Sequence, residues 1–253
     1  MIRIVAVIAL SMLAVGAALP AAAQDSPWKG RSVLVTGANR GLGLELARQL
    51  HAAGAVVIGT ARRPEEAAEL ADLGVRVEQL DVTDQAGVEA LAARLGDLPL
   101  DILLNNAGWF GSRGSAAELD PAIARQEYEV NCLGPLRVTQ ALLPALRRGQ
   151  AKLVMNMSSG LGSIANNSRG GSPGYRASKA ALNMLTATLA AELKGEGFIV
   201  VAMSPGWVQT DMGGERAELT PEESVRGILA TLAPLGPQDT GKFLNHDGTG
   251  LPW

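Results

Sequence analysis

The chain has 253 residues, 47% of them hydrophobic, 19% charged and 4% aromatic, with a formal net charge of -3. It is too apolar and too weakly charged to be disordered, and its slight acidity offers no electrostatic footprint for DNA or RNA. Cys132 is the sole cysteine, and the two histidines, His51 and His246, stand far apart, so neither a disulfide framework nor a bound metal is expected.

Residues 1–23 read as an address rather than as fold. Arg3 precedes an apolar run over 4–19, followed by Pro20, then Ala21-Ala22-Ala23, then polar Gln24-Asp25-Ser26. This is the order of a secretory signal peptide, and it places the protein in the periplasm or outside the cell. A run of this length could instead remain as a membrane anchor, with the domain left in the cytoplasm. Residues 24–253 then suit one domain with a sizeable core.

Along that domain, Ser32 to Val35 is a short apolar run with the pattern of a buried strand. Apolar residues at Leu44, Ala47 and Leu50 then fall at helical spacing. Strands are predicted at 55–59, 75–80 and 101–104, with helices at 64–73 and 85–95 between them. A long helix is predicted over 123–148, with irregularities at Pro135 and Pro144. A strand over 152–157, a helix over 175–194, a strand over 198–203, a helix over 221–232 and a short strand over 242–244 complete the chain. This alternation predicts a single doubly wound α/β domain of the Rossmann type. About seven mostly parallel strands carry helices on both faces.

Between the first strand and first helix lies Thr36-Gly37-Ala38-Asn39-Arg40-Gly41-Leu42-Gly43. Gly37 permits a tight turn, Gly41 lets backbone approach a pyrophosphate, and Gly43 lets the helix pack close to the sheet. The helix start then offers free N–H groups to phosphate. No Lys-Ser/Thr follows the last glycine, which excludes a nucleoside-triphosphatase loop. The second strand ends in Arg62-Arg63, without the acidic residue that would hold a ribose 2′-hydroxyl. Arg40, Arg62 and Arg63 therefore favour NADP(H) over NAD(H) through the 2′-phosphate. Adjacent arginines are also common as plain solvated charges.

Tyr175 and Lys179 share one face at the start of a helix. A neighbouring ammonium and the positive helix end are expected to lower the tyrosine pKa, and such a phenol exchanges a proton with a carbonyl or alcohol oxygen. Ser159 follows the fifth strand, where its hydroxyl can bond a developing oxyanion. An i,i+4 Tyr/Lys pair alone is weak evidence.

Together these motifs resemble the short-chain dehydrogenases/reductases over nearly all of residues 24–253. The turn at 36–43 is similar to the family's cofactor turn, and Asp81-Val82 to its adenine-side pair. Asn105-Asn106-Ala107-Gly108 resembles its N-N-A-G segment, and Pro205-Gly206, Val208 and Thr210 its nicotinamide-side segment. Asn131, Ser159, Tyr175 and Lys179 resemble its catalytic tetrad. Ser158-Ser159-Gly160-Leu161-Gly162-Ser163, the stretch 209–214 and the ending Asp247 to Trp253 look like the C-factor and sniffer-type carbonyl-reductase branch. The interval from Ser159 to Tyr175 exceeds the commonest family spacing, as in that branch. Ser158 is the competing serine, and Ser159 is preferred because Gly162 then falls where the family has its loop glycine.

The resemblance implies reversible hydride transfer between nicotinamide and a small-molecule carbonyl or secondary alcohol. Tyr175 would be the general acid, and Ser159 would orient the substrate oxygen. Lys179 would bond the nicotinamide ribose, and Asn131 would hold a water linking Lys179 to solvent. Cofactor contacts are implied at Gly37, Asn39, Arg40, Gly41, Leu42, Gly43, Arg62, Arg63, Asp81, Val82, Asn105, Ala107, Gly108, Tyr175, Lys179, Pro205, Gly206, Val208 and Thr210. A homodimer or homotetramer is implied too. The rival reading is a non-enzymatic dinucleotide-binding signalling protein of C-factor type. Trp109, Phe110, Leu161, Trp207 and Met212 are candidates to line the pocket, though each suits simple packing as well. Few residues separate Thr210 from Pro221, so the substrate lid is expected to be short and the pocket open. An exported chain would also sit apart from the cytoplasm, where NADP(H) is expected to be made.

Overall fold

The structure, a computed structural model, describes residues 26–253, and the leader expected over 1–23 lies outside them. Seven strands form one sheet: β1 Ser32–Val35, β2 Val56–Ala61, β3 Arg76–Gln79, β4 Ile102–Asn105, β5 Leu153–Met157, β6 Ile199–Ser204 and β7 Phe243–Asn245. Their order is β3-β2-β1-β4-β5-β6-β7, and every neighbouring pair is parallel. The helices are α1 Gly41–Ala52, α2 Ala68–Ala71, α3 Gln85–Leu95, α4 Pro121–Tyr128, α5 Gly134–Arg148, α6 Pro173–Leu193 and α7 Pro221–Leu232. Among the described residues no helix is long and apolar enough to cross a membrane.

The continuous apolar runs in the strands follow from burial on both faces. The pleat divides them. Val33, Val35, Ile102 and Leu104 pack with Leu46 and Leu50 of α1 and Ile228 of α7. Leu34, Leu103, Val154 and Val200 turn the other way, onto Val88 of α3, Leu142 and Leu146 of α5 and Leu193 of α6. Strand order reverses between β1 and β4. The crevice outside their carboxyl ends is therefore the expected ligand site of such a sheet.

One predicted helix differs from expectation, and another shows the irregularity expected at Pro135 but runs on through Pro144. The helix over 64–73 is a 3₁₀ turn, Pro64–Glu66, followed by the single turn α2, because Ala67 leaves helical geometry at φ -103° and ψ 46°. The long helix over 123–148 is α4 and α5 joined by one π-helical turn, Glu129–Leu133. Pro135 has no N–H to give the carbonyl of Asn131 four residues back, and the ladder slips there, with Gly134 N donating to Glu129 O.

Candidate active site

The turn after β1 is locked to the segment after β4. Thr36 Oγ1 accepts from Asn106 N and Ala107 N, each at 2.9 Å. Asn106 Nδ2 donates to the carbonyls of Thr36 (3.0 Å) and Gly37 (3.2 Å). Gly37 and Gly41 stand at φ 65° and 54°, where a side chain would be strained. At Gly43 a Cβ would overlap the Gly37 carbonyl oxygen, so the missing side chain lets α1 abut the turn. Gly43→Ala is accordingly expected to cost about 1–3 kcal/mol of stability, read as a lower urea midpoint, and to weaken dinucleotide binding. The N-cap of α1, Arg40, makes no side-chain cap bond. The first turn thus keeps its N–H groups for a ligand, and the residues fit a pyrophosphate. Asn39 is exposed beside Arg40, and Leu42 reaches the adjoining cavity.

The three arginines differ. Arg40 pairs with Asp211 at 2.8 Å, both side chains being exposed, and Arg63 pairs with Glu66 at 2.6 Å. Arg62, exposed at the end of β2, has no ion-pair partner among the described residues. Asp81 closes a turn by accepting from Thr83 N (2.9 Å) and Thr83 Oγ1 (2.7 Å), and Val82 beside it is buried. Asn105 is placed inside the domain, where Nδ2 donates to Thr139 Oγ1 (3.0 Å) and Asn156 Oδ1 (2.9 Å). It is Asn106 whose side chain shapes the turn. Gly37 backs directly onto Ala107, and Gly108 lies beside Asn131 and Lys179. Gly206 has φ 80°, and Gly41 abuts Thr210.

Tyr175 and Lys179, on the first turns of α6, are both buried. Ser159 lines the same cavity as the Tyr175 side chain, and its Oγ accepts from Leu161 N at 3.2 Å. Ser158 is engaged elsewhere, its buried Oγ donating to Asn183 Oδ1 at 2.6 Å. Lys179 Nζ lies 5.7 Å from the centre of the Tyr175 ring and donates to Met157 O at 2.7 Å. The Asn131 amide is engaged on both sides: Oδ1 accepts from Trp109 N (2.8 Å), and Nδ2 donates to Trp109 O (2.8 Å) and Ser178 Oγ (3.0 Å).

The electrostatics correct one expectation. The Tyr175 phenol is not lowered but pushed up to about 12, chiefly by burial. The Glu127 charge adds to the rise and the Ser159 hydroxyl opposes it. Burial pushes Lys179 down to about 8, with Cys132 opposing. Both groups are withdrawn from water, and the ammonium is held by the Met157 carbonyl rather than by the phenol.

Above Tyr175 lies a cavity of about 180 Å³. Phe110, Leu161, Trp207 and Met212, four of the five pocket candidates, line it with Ser159 and Thr210. Trp109 does not line it, and its ring folds back against Gly111. Phe110 packs on Tyr175 with ring centres 4.7 Å apart, and Met212 Sδ is 3.9 Å from the phenol oxygen. The short lid is self-tied: Trp207 Nε1 donates to Gly213 O (2.9 Å), and Gln209 N donates to Leu219 O (2.8 Å). A larger hollow of about 570 Å³ between α7 and β7 holds none of the predicted site residues.

The family model for short chain dehydrogenases matches residues 31–220. C-signal of Myxococcus xanthus is 44% identical over 166 residues, which are 66% of this chain and all of that protein. A Rhodococcus sp. (strain AD45) 1-hydroxy-2-glutathionyl-2-methyl-3-butene dehydrogenase is 39% identical, covering 88% of this chain and 99% of its own. Carbonyl reductase Sniffer of D. melanogaster superposes with a TM-score of 0.84 at 34% identity, over 88% of this chain and all of the other. The NADPH-bound carbonyl reductase from chicken fatty liver gives 0.83 at 36% identity, over 89% and 100%. The parallel sheet, the locked glycine turn and the match over most of the chain agree: the chain belongs to the short-chain dehydrogenase family.

Proposed function

We propose that the chain is an NADP(H)-dependent carbonyl reductase acting on small apolar carbonyl compounds. One observation carries this reading: Tyr175 and Ser159 face one apolar cavity beside an uncapped helix start, with Lys179 one helical turn away. The bound cofactor would supply the hydride. Gly37, Gly41 and Gly43 would admit its pyrophosphate to the start of α1. Arg62, without an ion-pair partner among the described residues, is the arginine most available to answer a 2′-phosphate. Tyr175 keeps its proton at neutral pH, which suits donation to a substrate oxygen, and Ser159 bonds the same oxygen. Lys179 would hold the nicotinamide ribose. The carbonyl of Asn131, deprived by Pro135 of its helical donor, is the group left to bind a relay water, because the Asn131 amide is already spent.

The test is NADPH oxidation with a panel of aldehydes, quinones and diketones. Turnover no greater than that of Tyr175→Phe would overturn the reading and favour the non-enzymatic alternative, which draws on the likeness to C-signal. Arg62→Ala is expected to raise the KM for NADPH about tenfold, the worth of one charge-assisted contact, and to leave that for NADH unchanged. Arg40→Ala and Arg63→Ala are expected to do less, since each is already paired.

We also propose that residues 1–23 are a cleaved leader. Mass spectrometry of the native protein should then find Gln24 first, and an intact Met1 or Ile2 would overturn this.

A further inference from the structure

The backbone of Tyr175 is held from both sides. On the carbonyl side, Ser178 Oγ donates to Tyr175 O at 2.8 Å and accepts from Asn131 Nδ2 at 3.0 Å. On the amide side, Tyr175 N donates to Ser112 Oγ at 2.9 Å, and Ser112 Oγ donates to Glu127 Oε1 at 3.0 Å. Asn131 and Glu127 lie four residues apart on the same helical segment. Each reaches the tyrosine through one serine hydroxyl. The two also clamp one loop: Asn131 takes both backbone groups of Trp109, and Glu127 Oε1 accepts from Gly111 N (2.9 Å) and Ser112 N (2.8 Å). Between the clamped residues sits Phe110, pressed on the Tyr175 ring.

Three further facts make this a built arrangement. Glu127 is wholly buried, and its Oε2 has no hydrogen-bond partner. A carboxylate is costly in such a place unless its position does something for the fold or the site. Gly174 precedes the tyrosine, and a Cβ there would overlap Glu127 Oε2, so the two residues are matched. Ser172, the N-cap of α6, makes no side-chain cap bond. The Tyr175 N–H, an orphan of the first helical turn, is capped instead from outside by Ser112.

We propose that Glu127 is a positioning residue for Tyr175: through Ser112 and the 109–112 loop it fixes the tyrosine backbone and the Phe110 ring against which the phenol is aimed. The inference rests on the reading of Tyr175 as the proton donor, so one readout is chosen that needs no turnover. The chain has two tyrosines, so ¹⁵N-tyrosine labelling yields two amide signals, and Tyr128→Phe assigns them.

In Glu127→Ala the Tyr175 amide should exchange with solvent about tenfold faster, the effect of losing roughly 1.4 kcal/mol of protection. The kcat for carbonyl reduction should fall about 10- to 100-fold through misplacement of the acid, with NADPH affinity unchanged because the turn at 36–43 is untouched. Glu127→Gln retains an acceptor oxygen and should return kcat to within about fivefold of the parent. If Glu127→Ala does not fold, Ser112→Ala removes only one hydroxyl and should move both readouts in the same direction. Unchanged amide exchange and kcat in a folded variant would overturn the proposal. So would a loss of kcat that tracks a loss of NADPH binding. If the parent turns over no carbonyl at all, the reductase reading fails, and amide exchange alone decides the role of Glu127.

Discussion

Tyr175→Phe should lower carbonyl reduction by about 10²- to 10⁴-fold, the range expected when a general acid is removed, and leave NADPH affinity and the melting temperature almost unchanged. The structure explains this separation. The tyrosine ring is buried against Phe110, and a phenylalanine ring keeps that packing. Among the described residues the phenol oxygen makes one long hydrogen bond, 3.9 Å to the sulfur of Met212, so little stability is lost with it. Steady-state kinetics with a reactive diketone, beside a thermal melt, would check both halves. A variant that retained more than about a tenth of the parent rate would remove Tyr175 from the chemistry.

Lys179→Met should raise stability near neutral pH while abolishing turnover. Burial holds the ammonium down from its ordinary 10.5 to about 8. Between those values the unfolded chain binds more protons than the folded one, so the parent gains stability as pH rises through that window. Below it, the folded parent carries the whole penalty of the buried charge. A shift of this size corresponds to about 3 kcal/mol, reduced by loss of the bond from Nζ to Met157 O. A net gain of about 1–2 kcal/mol near pH 7 is therefore expected for the variant, falling as pH rises and turning into a net loss of roughly the worth of the Met157 bond by about pH 10.5. The raised Tyr175 works in the other direction, from 10 to about 12, and is common to both proteins. Urea midpoints taken across pH provide the test. A variant less stable than the parent near neutrality, or a difference that ignores pH, would show that the lysine is not a stored cost of the site.

Much of the fold was legible because burial on both faces writes parallel strands as uninterrupted apolar runs. β1 and α3 stand at the expected residues, and β6 is offset by one. The misreadings came where a backbone property overrides periodicity. Ala67 interrupts a helix that side-chain spacing alone would continue, and α5 runs on through Pro144, whereas the break expected at Pro135 is present. The candidate site was legible where chemistry demands one residue type: Tyr175, Lys179, Ser159 and the turn glycines. Asn106 stood inside a quoted motif, but the sequence does not tell which of two adjacent asparagines turns towards the turn and which towards Asn156. Glu127 and Ser112 carried no signal at all, for a single carboxylate on a helix reads as a solvated charge until the loop that covers it is seen.

The sequence by itself determined the order of strands and helices, the glycine turn and the residues on which the proposed proton transfer rests, because each follows from local geometry or from irreplaceable chemistry. The tertiary structure alone decided how those residues are charged and held. Whether Tyr175 is pushed up or down, which arginine stays free, and that Glu127 and Asn131 hold the tyrosine from opposite sides are matters of burial and distance between segments far apart in the chain. No local pattern encodes them.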